Sequence, residues 1–303
     1  MKLKFAKLII PCLASLVCLA GCGGNDAPSG YYNGYNLDQD GAFLRLELQR
    51  LCFDKHSTYI YYSKFSTYCA NTKDHISCDA VSENSKKNQM FYTGKEDGGC
   101  GTREHVWPCA HSDNLWVHKS NAGSHYVDGN KYVGGGSDLY HVRPSTNSVN
   151  TARGDSKFVD FSDPEFDSIR KDTVEVGDGG KYKLKIYGAE QTKSGGYQYA
   201  DKAEPADEFK GDIARILLYV WVHYGYAGEY YDHKDMIGNL NLCDVMGYGS
   251  DIDRTYEKLA EWNKKDPPSA IEKLRNNTVQ KMQGNRNMFV DYPDLVNRLL
   301  EVK

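Results

Sequence analysis

Two short apolar pieces, each closed by a proline, constrain this chain more than any other feature: Arg103-Glu104-His105-Val106-Trp107-Pro108 and Asp138-Leu139-Tyr140-His141-Val142-Arg143-Pro144. Between them, residues 109–137 are loop-like and end in Gly134-Gly135-Gly136. Both pieces predict short strands, the second over 139–142. From Ser145 the pattern turns helical, with Ser145 or Thr146 as a candidate N-cap. On that helix Asn150 and Arg153 are three apart and share a face. A strand, a long loop, a second strand and a helix therefore bring a carboxylate, an imidazole and a side-chain amide into one unit.

Those groups suit one class of chemistry. Mg²⁺ prefers oxygen ligands and keeps several waters, so Glu104 and Asn150 suffice as its protein ligands. A neutral imidazole beside the ion takes a proton from water near pH 7, which makes His105 a general base. Phosphodiester cleavage is the reaction this set suits best. Arg153, one turn from Asn150, is positioned to clamp a phosphate oxygen bidentately. Each residue also has a plainer reading: a buried, satisfied histidine, a Glu104–Arg103 surface pair, an exposed Asn150, a structural Arg153. His141 reads as a structural hydrogen-bonder. One difficulty is internal to the motif. Neighbours on a regular strand point to opposite faces, so if Glu104 and His105 reach one ion, the backbone there should be irregular, bulged or already turning.

The start of the chain carries a different signal. Lys2, Lys4 and Lys7 precede a short apolar run over 8–20, and Leu19-Ala20-Gly21-Cys22 closes it with small residues before a cysteine. The run is too short for a comfortable permanent span and reads as a bacterial export signal over 1–22. Its end resembles a lipobox, in which Cys22 becomes the acylated N-terminus and the membrane anchor; an ordinary signal with a coincidental cysteine is the alternative. Residues 23–30 then form a flexible polar tether. Removing 1–22 takes away three lysines and no acid, which leaves 34 basic against 41 acidic side chains. That is a poor electrostatic footprint for a nucleic-acid binder, although net charge does not fix the potential of a local cleft.

Six cysteines remain after the signal: Cys52, Cys69, Cys78, Cys100, Cys109 and Cys243. An even number in an exported chain suggests disulfides, here mostly within 52–109, with the connectivity open. No C-x-x-C pair exists to start a zinc site, and no H-E-x-x-H pair supports a zinc hydrolase.

Elsewhere, a helix is predicted from Asp40 or Gly41 towards Cys52, while 56–70 is ambiguous between helix and strand. Residues 73–89 read as loop, 90–94 as a short strand and 98–101 as a glycine-rich turn. Residues 181–187 alternate like a half-buried strand. Helices are predicted over 206–224, with Phe209, Ile213, Ile216, Leu217 and Val220 as the apolar stripe, and over 255–262, 269–283 and 293–300. Nothing divides the chain and no internal repeat is visible. The expected fold is one α+β domain over 31–303: mixed helices and short strands, helix-rich in its C-terminal half, disulfide-stabilised.

The order of segments resembles the endonuclease I family of bacterial secreted and periplasmic nucleases, in the ββα-metal (His-Me finger) group. The resemblance covers essentially all of 31–303. It rests on REHVWP at 103–108, DLYHVRP at 138–144, VNTARGDSKF at 149–158, KGDIARILLY at 210–219, EWNKKDPPSAIEKLRNN at 261–277 and QGNRNMFVDYPDL at 283–295, in that order. It implies a ββα-metal finger in which His105 is the general base, Glu104 one metal ligand and Asn150, on the finger helix, the second. Tyr140 stands where the family commonly has histidine. The position at which some relatives carry a glutamate falls in 134–137, and 109–137 holds no arginine. Met288 replaces the usual proline after the NRN motif.

The function implied is an exported, Mg²⁺-dependent, sequence-nonspecific endonuclease of DNA, with RNA as a second substrate, Mn²⁺ or Ca²⁺ as substitute ions and 5′-phosphate products. It would act as a monomer on a lipid anchor, in the periplasm or at the cell surface. The rival expectation is a surface lipoprotein whose site has decayed and which serves as a binding module.

Overall fold

The computed structural model describes residues 27–70, 76–111, 126–127, 131–132, 134–227 and 237–300. The expected signal at 1–22, Cys22, the tether up to residue 26 and most of the 109–137 loop lie outside them. Helix α1 (Gly41–Lys55) starts where predicted and buries Leu44, Leu48, Leu51 and Cys52. The ambiguous stretch resolves into a single tight turn, Tyr62–Lys64, and a short helix α2 (Phe65–Cys69). Strands β1 (Asn88–Gln89) and β2 (Glu96–Asp97) form an antiparallel hairpin. Its turn contains the strand predicted over 90–94. Tyr92 (φ 71°) and Gly94 (φ 62°) are left-handed there, a conformation no strand contains.

Strand β3 (Thr102–His105) comes next, then a two-residue pair β4 (Tyr126–Val127) and β5 (Lys131–Tyr132). Strand β6 (Val142–Ser145) and helix α3 (Asn147–Arg153) complete the finger. The second finger strand begins where it was predicted to end. Asp138 O accepts the N–H groups of His141 (3.0 Å) and Val142 (2.9 Å), so 139–141 form a turn. Pro144 lies inside β6, opposite Arg103. A two-stranded sheet has only edge strands, where a missing N–H need not break the ladder. Gly101 (φ +55°) opens β3, and a Cβ there would lie 2.2 Å from Ser145 O, so only glycine lets the strands meet. Thr146 occupies the N-cap of α3 without bonding a helix N–H through its side chain.

Strands β7 (Lys157–Phe158), β8 (Val174–Val176), β9 (Leu184–Tyr187) and β12 (Lys202–Glu204) form a four-stranded sheet in the order β7-β12-β9-β8, with β7 parallel to β12 and the other pairs antiparallel. Between them, β10 (Glu190–Gln191) and β11 (Tyr197–Gln198) make a separate hairpin. The predicted alternation survives in β9, whose Leu184 and Ile186 are buried and whose Lys185 is exposed. Five helices follow: α4 (Asp207–Tyr224), α5 (Ile252–Lys265), α6 (Ala270–Gln283), α7 (Met288–Asp291) and α8 (Leu295–Leu300). Asp251, Ser269 and Asn287 cap α5, α6 and α7 through their side-chain oxygens.

Helix α4 has no solvent face. Every residue from Phe209 to Tyr224 is buried, and Arg215 is held inside by a bidentate pair with Glu272 (2.7 and 2.6 Å). The predicted stripe is therefore only part of what this helix buries. One apolar cluster runs from Tyr31 to Leu300, with helices gathered in the C-terminal half. The fold is α+β. No disulfide links the cysteines among the described residues, so the expected disulfide stabilisation is not seen. Cys52, Cys69, Cys78 and Cys243 are buried and pack as small apolar groups. Among the described residues no helix is long and apolar enough to cross a membrane.

Candidate active site

Pairing between β3 and β6 is continuous: Thr102 faces Ser145, Arg103 Pro144, Glu104 Arg143 and His105 Val142. The irregularity expected at 104–105 is absent. The chain bends only beyond His105, at 106–107. Ordinary alternation therefore holds. Thr102 and Glu104 meet α3, through Asn150 and Arg153 respectively, whereas Arg103 and His105 both lie against Tyr62.

Glu104 is 2% exposed. The Tyr92 hydroxyl donates to its Oε1 (2.5 Å), and Arg153 Nη1 stands 3.3 Å from the same oxygen. Burial pushes the carboxyl above its ordinary range, against the pull of the Arg153 charge and the Tyr92 hydroxyl. Both contacts fall on Oε1, and Oε2 accepts no hydrogen bond among the described residues. Asn150 is fixed in the same manner. Its Nδ2 donates to Thr102 Oγ1 (3.1 Å) and Arg103 O (3.3 Å). A backbone carbonyl can only accept, so the amide nitrogen must face it and Oδ1 must point elsewhere. Two oxygens of the kind a hard dication takes, Glu104 Oε2 and Asn150 Oδ1, are thus left on side chains otherwise held in place.

The His105 ring is oriented by the loop between the strands. Its Nε2 lies 2.8 Å from Gly136 O. The carbonyl accepts, so Nε2 carries the proton and the lone pair sits on Nδ1. His141 supports that loop from beneath. Trp107 N–H donates to its Nε2 (2.9 Å), which leaves Nδ1–H to bond Gly135 O (3.0 Å). Burial and the neighbouring His105 hold the His141 ring far below its ordinary titration range, so it stays neutral in that arrangement. Its structural reading agrees with the geometry. Tyr62 covers the other side of His105, with ring centroids 5.5 Å apart and planes 21° from parallel.

Arg153 does not occupy the place expected of a phosphate clamp. It is 1% exposed, and besides Glu104 it bonds His105 O (3.1 Å), Val106 O (2.8 Å) and Gly154 O (3.2 Å). Three apart on a helix puts it on the same side as Asn150, but that side is the one packed under β3. Its position gives it the task of tying the finger helix to the strand that carries the site. Tyr140 is buried and its hydroxyl lies within hydrogen-bond distance of Asn276 O (3.0 Å) and Asn285 O (2.9 Å). Sequence reasoning passed over Tyr62, Tyr92 and the Gly136 carbonyl. No local motif marks them; the nearest hint was the glycine run at 134–136.

A family model for endonuclease I matches residues 42–294, a span that includes every residue of this site. The chain belongs to the endonuclease I family. It is 32% identical over 204 residues to an extracellular ribonuclease of Bacillus subtilis (strain 168), covering 66% of this chain and 54% of that protein. It is 33% identical over 210 residues to an extracellular ribonuclease of Bacillus amyloliquefaciens, covering 68% and 56%. The chain thus spans about half the length of the curated relatives it matches. Within the endonuclease I match, REHVWP supplies β3 and VNTARGDSKF supplies most of α3 and β7, so the matched motifs are the parts from which the finger is built.

Proposed function

We propose that this member of the endonuclease I family is an exported, metal-dependent endonuclease that hydrolyses phosphodiester bonds without reading base sequence. The observation that carries the reading is the fixed orientation of three side chains. His105 is held in the tautomer with its lone pair on Nδ1, while Glu104 and Asn150 each present one oxygen with the rest of the group tied down.

In this reading His105 Nδ1 takes a proton from the attacking water, and the Gly136 carbonyl stabilises the imidazolium through Nε2–H. Glu104 and Asn150 would hold a dication (Mg²⁺ first, with Mn²⁺ or Ca²⁺ as substitutes), which would supply electrostatic stabilisation of the negative charge that develops in the transition state. Contacts to the phosphate backbone carry no base information, which suits cutting without sequence preference. The nucleophile is water, so a 2′-hydroxyl is not required and both DNA and RNA qualify. That the two Bacillus relatives are named extracellular ribonucleases favours testing RNA beside DNA.

The decisive measurement is the chemistry of the cut ends on matched RNA and DNA substrates with Mg²⁺. The expected products carry 5′-phosphates and 3′-hydroxyls on both. Cyclic 2′,3′-phosphates on RNA would overturn the water mechanism, and no cutting with any dication would favour a decayed, binding-only site. Tyr92→Phe removes the hydroxyl that holds Glu104. It is expected to raise the Mg²⁺ concentration for half-maximal rate by roughly 10–100-fold, and Asn150→Ala by at least as much. Unchanged Mg²⁺ titrations in both variants would remove Glu104 and Asn150 as ligands.

Export by the 1–22 signal with acylation at Cys22 completes the proposal, in line with relatives named as extracellular. Cys22→Ser is expected to shift the protein from the membrane fraction to the soluble exported fraction. If the variant stays with the membrane to the same extent, the lipid anchor is wrong.

A further inference from the structure

The finger carries three arginines, and their surroundings differ. Arg143 is buried against Asp79 (2.8 Å), and Arg153 against Glu104 (3.3 Å). Both guanidiniums are paired and spent on contacts inside the protein, Arg143 on a carboxylate it shares with Arg275. Arg103 is exposed and forms no ion pair among the described residues. It is nonetheless held still. Its guanidinium lies 4.1 Å over the Tyr62 ring, and its Nη1 donates to Tyr62 O (3.1 Å). Its own carbonyl is bonded by the Asn150 amide, and its strand position is fixed opposite Pro144. Tyr62 in turn stacks on His105, so guanidinium, phenol and imidazole form one layered group.

We propose that Arg103 is the phosphate-binding cation of this site, gripping a backbone phosphate of the nucleic acid beside the one that is cut, with Tyr62 as the residue that positions it. The role assigned to Arg153 from the sequence thereby passes to a residue on the open face of the same finger. Three features point to a phosphate rather than to another ligand. A guanidinium has five N–H donors in a planar fork, and among the described residues only one is used here. That fork matches two phosphate oxygens. Arg103 and the general base His105 are two apart on one strand and project to the same side, within reach of adjacent phosphates of one strand. A cation without an ion pair among the described residues also answers the acidic balance of the chain, because it concentrates positive potential where the substrate backbone must approach. Contact with phosphate alone adds no base preference. The proposal rests on the nuclease reading given above.

The test separates the two. Binding of a fluorescein-labelled DNA duplex is measured in EDTA across a salt series for the parent, Arg103→Gln and Arg103→Lys, and KM and kcat are measured with Mg²⁺. Glutamine keeps a stem over Tyr62 and removes the charge. It is expected to raise KM by roughly tenfold and to flatten the slope of log affinity against log salt by about 0.9, one phosphate contact. Lysine keeps the charge without the fork, so it should retain the parental slope with a smaller rise in KM. Parental KM and slope in Arg103→Gln would overturn the proposal, as would a lysine variant that loses the slope as glutamine does. If the parent cuts nothing, the nuclease reading fails, yet the slopes in EDTA still decide whether Arg103 meets phosphate.

Discussion

Replacing His105 with alanine is expected to lower kcat for phosphodiester cleavage by roughly 10²–10⁴-fold, the range lost when a positioned general base is removed. The protein should stay folded. His105 is only half-buried, and the loop it touches is held independently by His141 on Gly135 O and by the Ser137 N–H on Gly134 O. The measurement pairs single-turnover cleavage at saturating Mg²⁺ with a thermal melt. Turnover close to the parent's would sink the mechanism. The effect should sit in kcat, because the imidazole acts on the water in the transition state and does not hold the substrate in the ground state. The metal-ligand variants, by contrast, should recover as Mg²⁺ is raised.

Arg153→Met should act on stability first. Removing one partner of a buried ion pair leaves an uncompensated charge, and the usual loss is about 3–5 kcal/mol. Here the carboxylate left behind is Glu104, already pushed towards protonation by burial, and the carbonyls of His105 and Val106 lose their donor as well. For a chain of this size the unfolding midpoint should fall by on the order of 10 °C. Adding Glu104→Leu to the same variant should restore part of the stability while leaving the enzyme inactive, since a buried pair can often be exchanged for apolar groups. A variant as stable as the parent but weak in substrate binding would instead return Arg153 to the phosphate clamp.

Those two arginine outcomes mark where sequence reading stops. The spacing of Asn150 and Arg153 correctly puts both on one side of α3. It does not say whether that side meets solvent or the hairpin, because a seven-residue helix with two apolar positions has no decisive stripe. Longer helices were legible because many turns repeat the same signal: α1, α5 and α6 begin at or within a few residues of their expected starts. The chain at 90–94 misled for a different reason. Met90-Phe91-Tyr92 has strand composition, yet the tertiary demand that the Tyr92 hydroxyl reach Glu104 goes with a left-handed turn there.

What the sequence determined by itself was the inventory: a carboxylate, an imidazole and an amide on a strand–strand–helix unit, and the family to which that order of motifs belongs. These are local or colinear properties, carried by residue type and spacing. Only the tertiary structure decided which atoms of those groups are already bonded. Orientation comes from partners distant in sequence. Tyr62 lies 43 positions before His105 and Gly136 lies 31 after it, and no spacing rule links them to the motif. The opposite directions of two strand neighbours have the same origin. Glu104 and His105 do point apart, and the helix beneath the strand and the loop and tyrosine beside it fix each one separately.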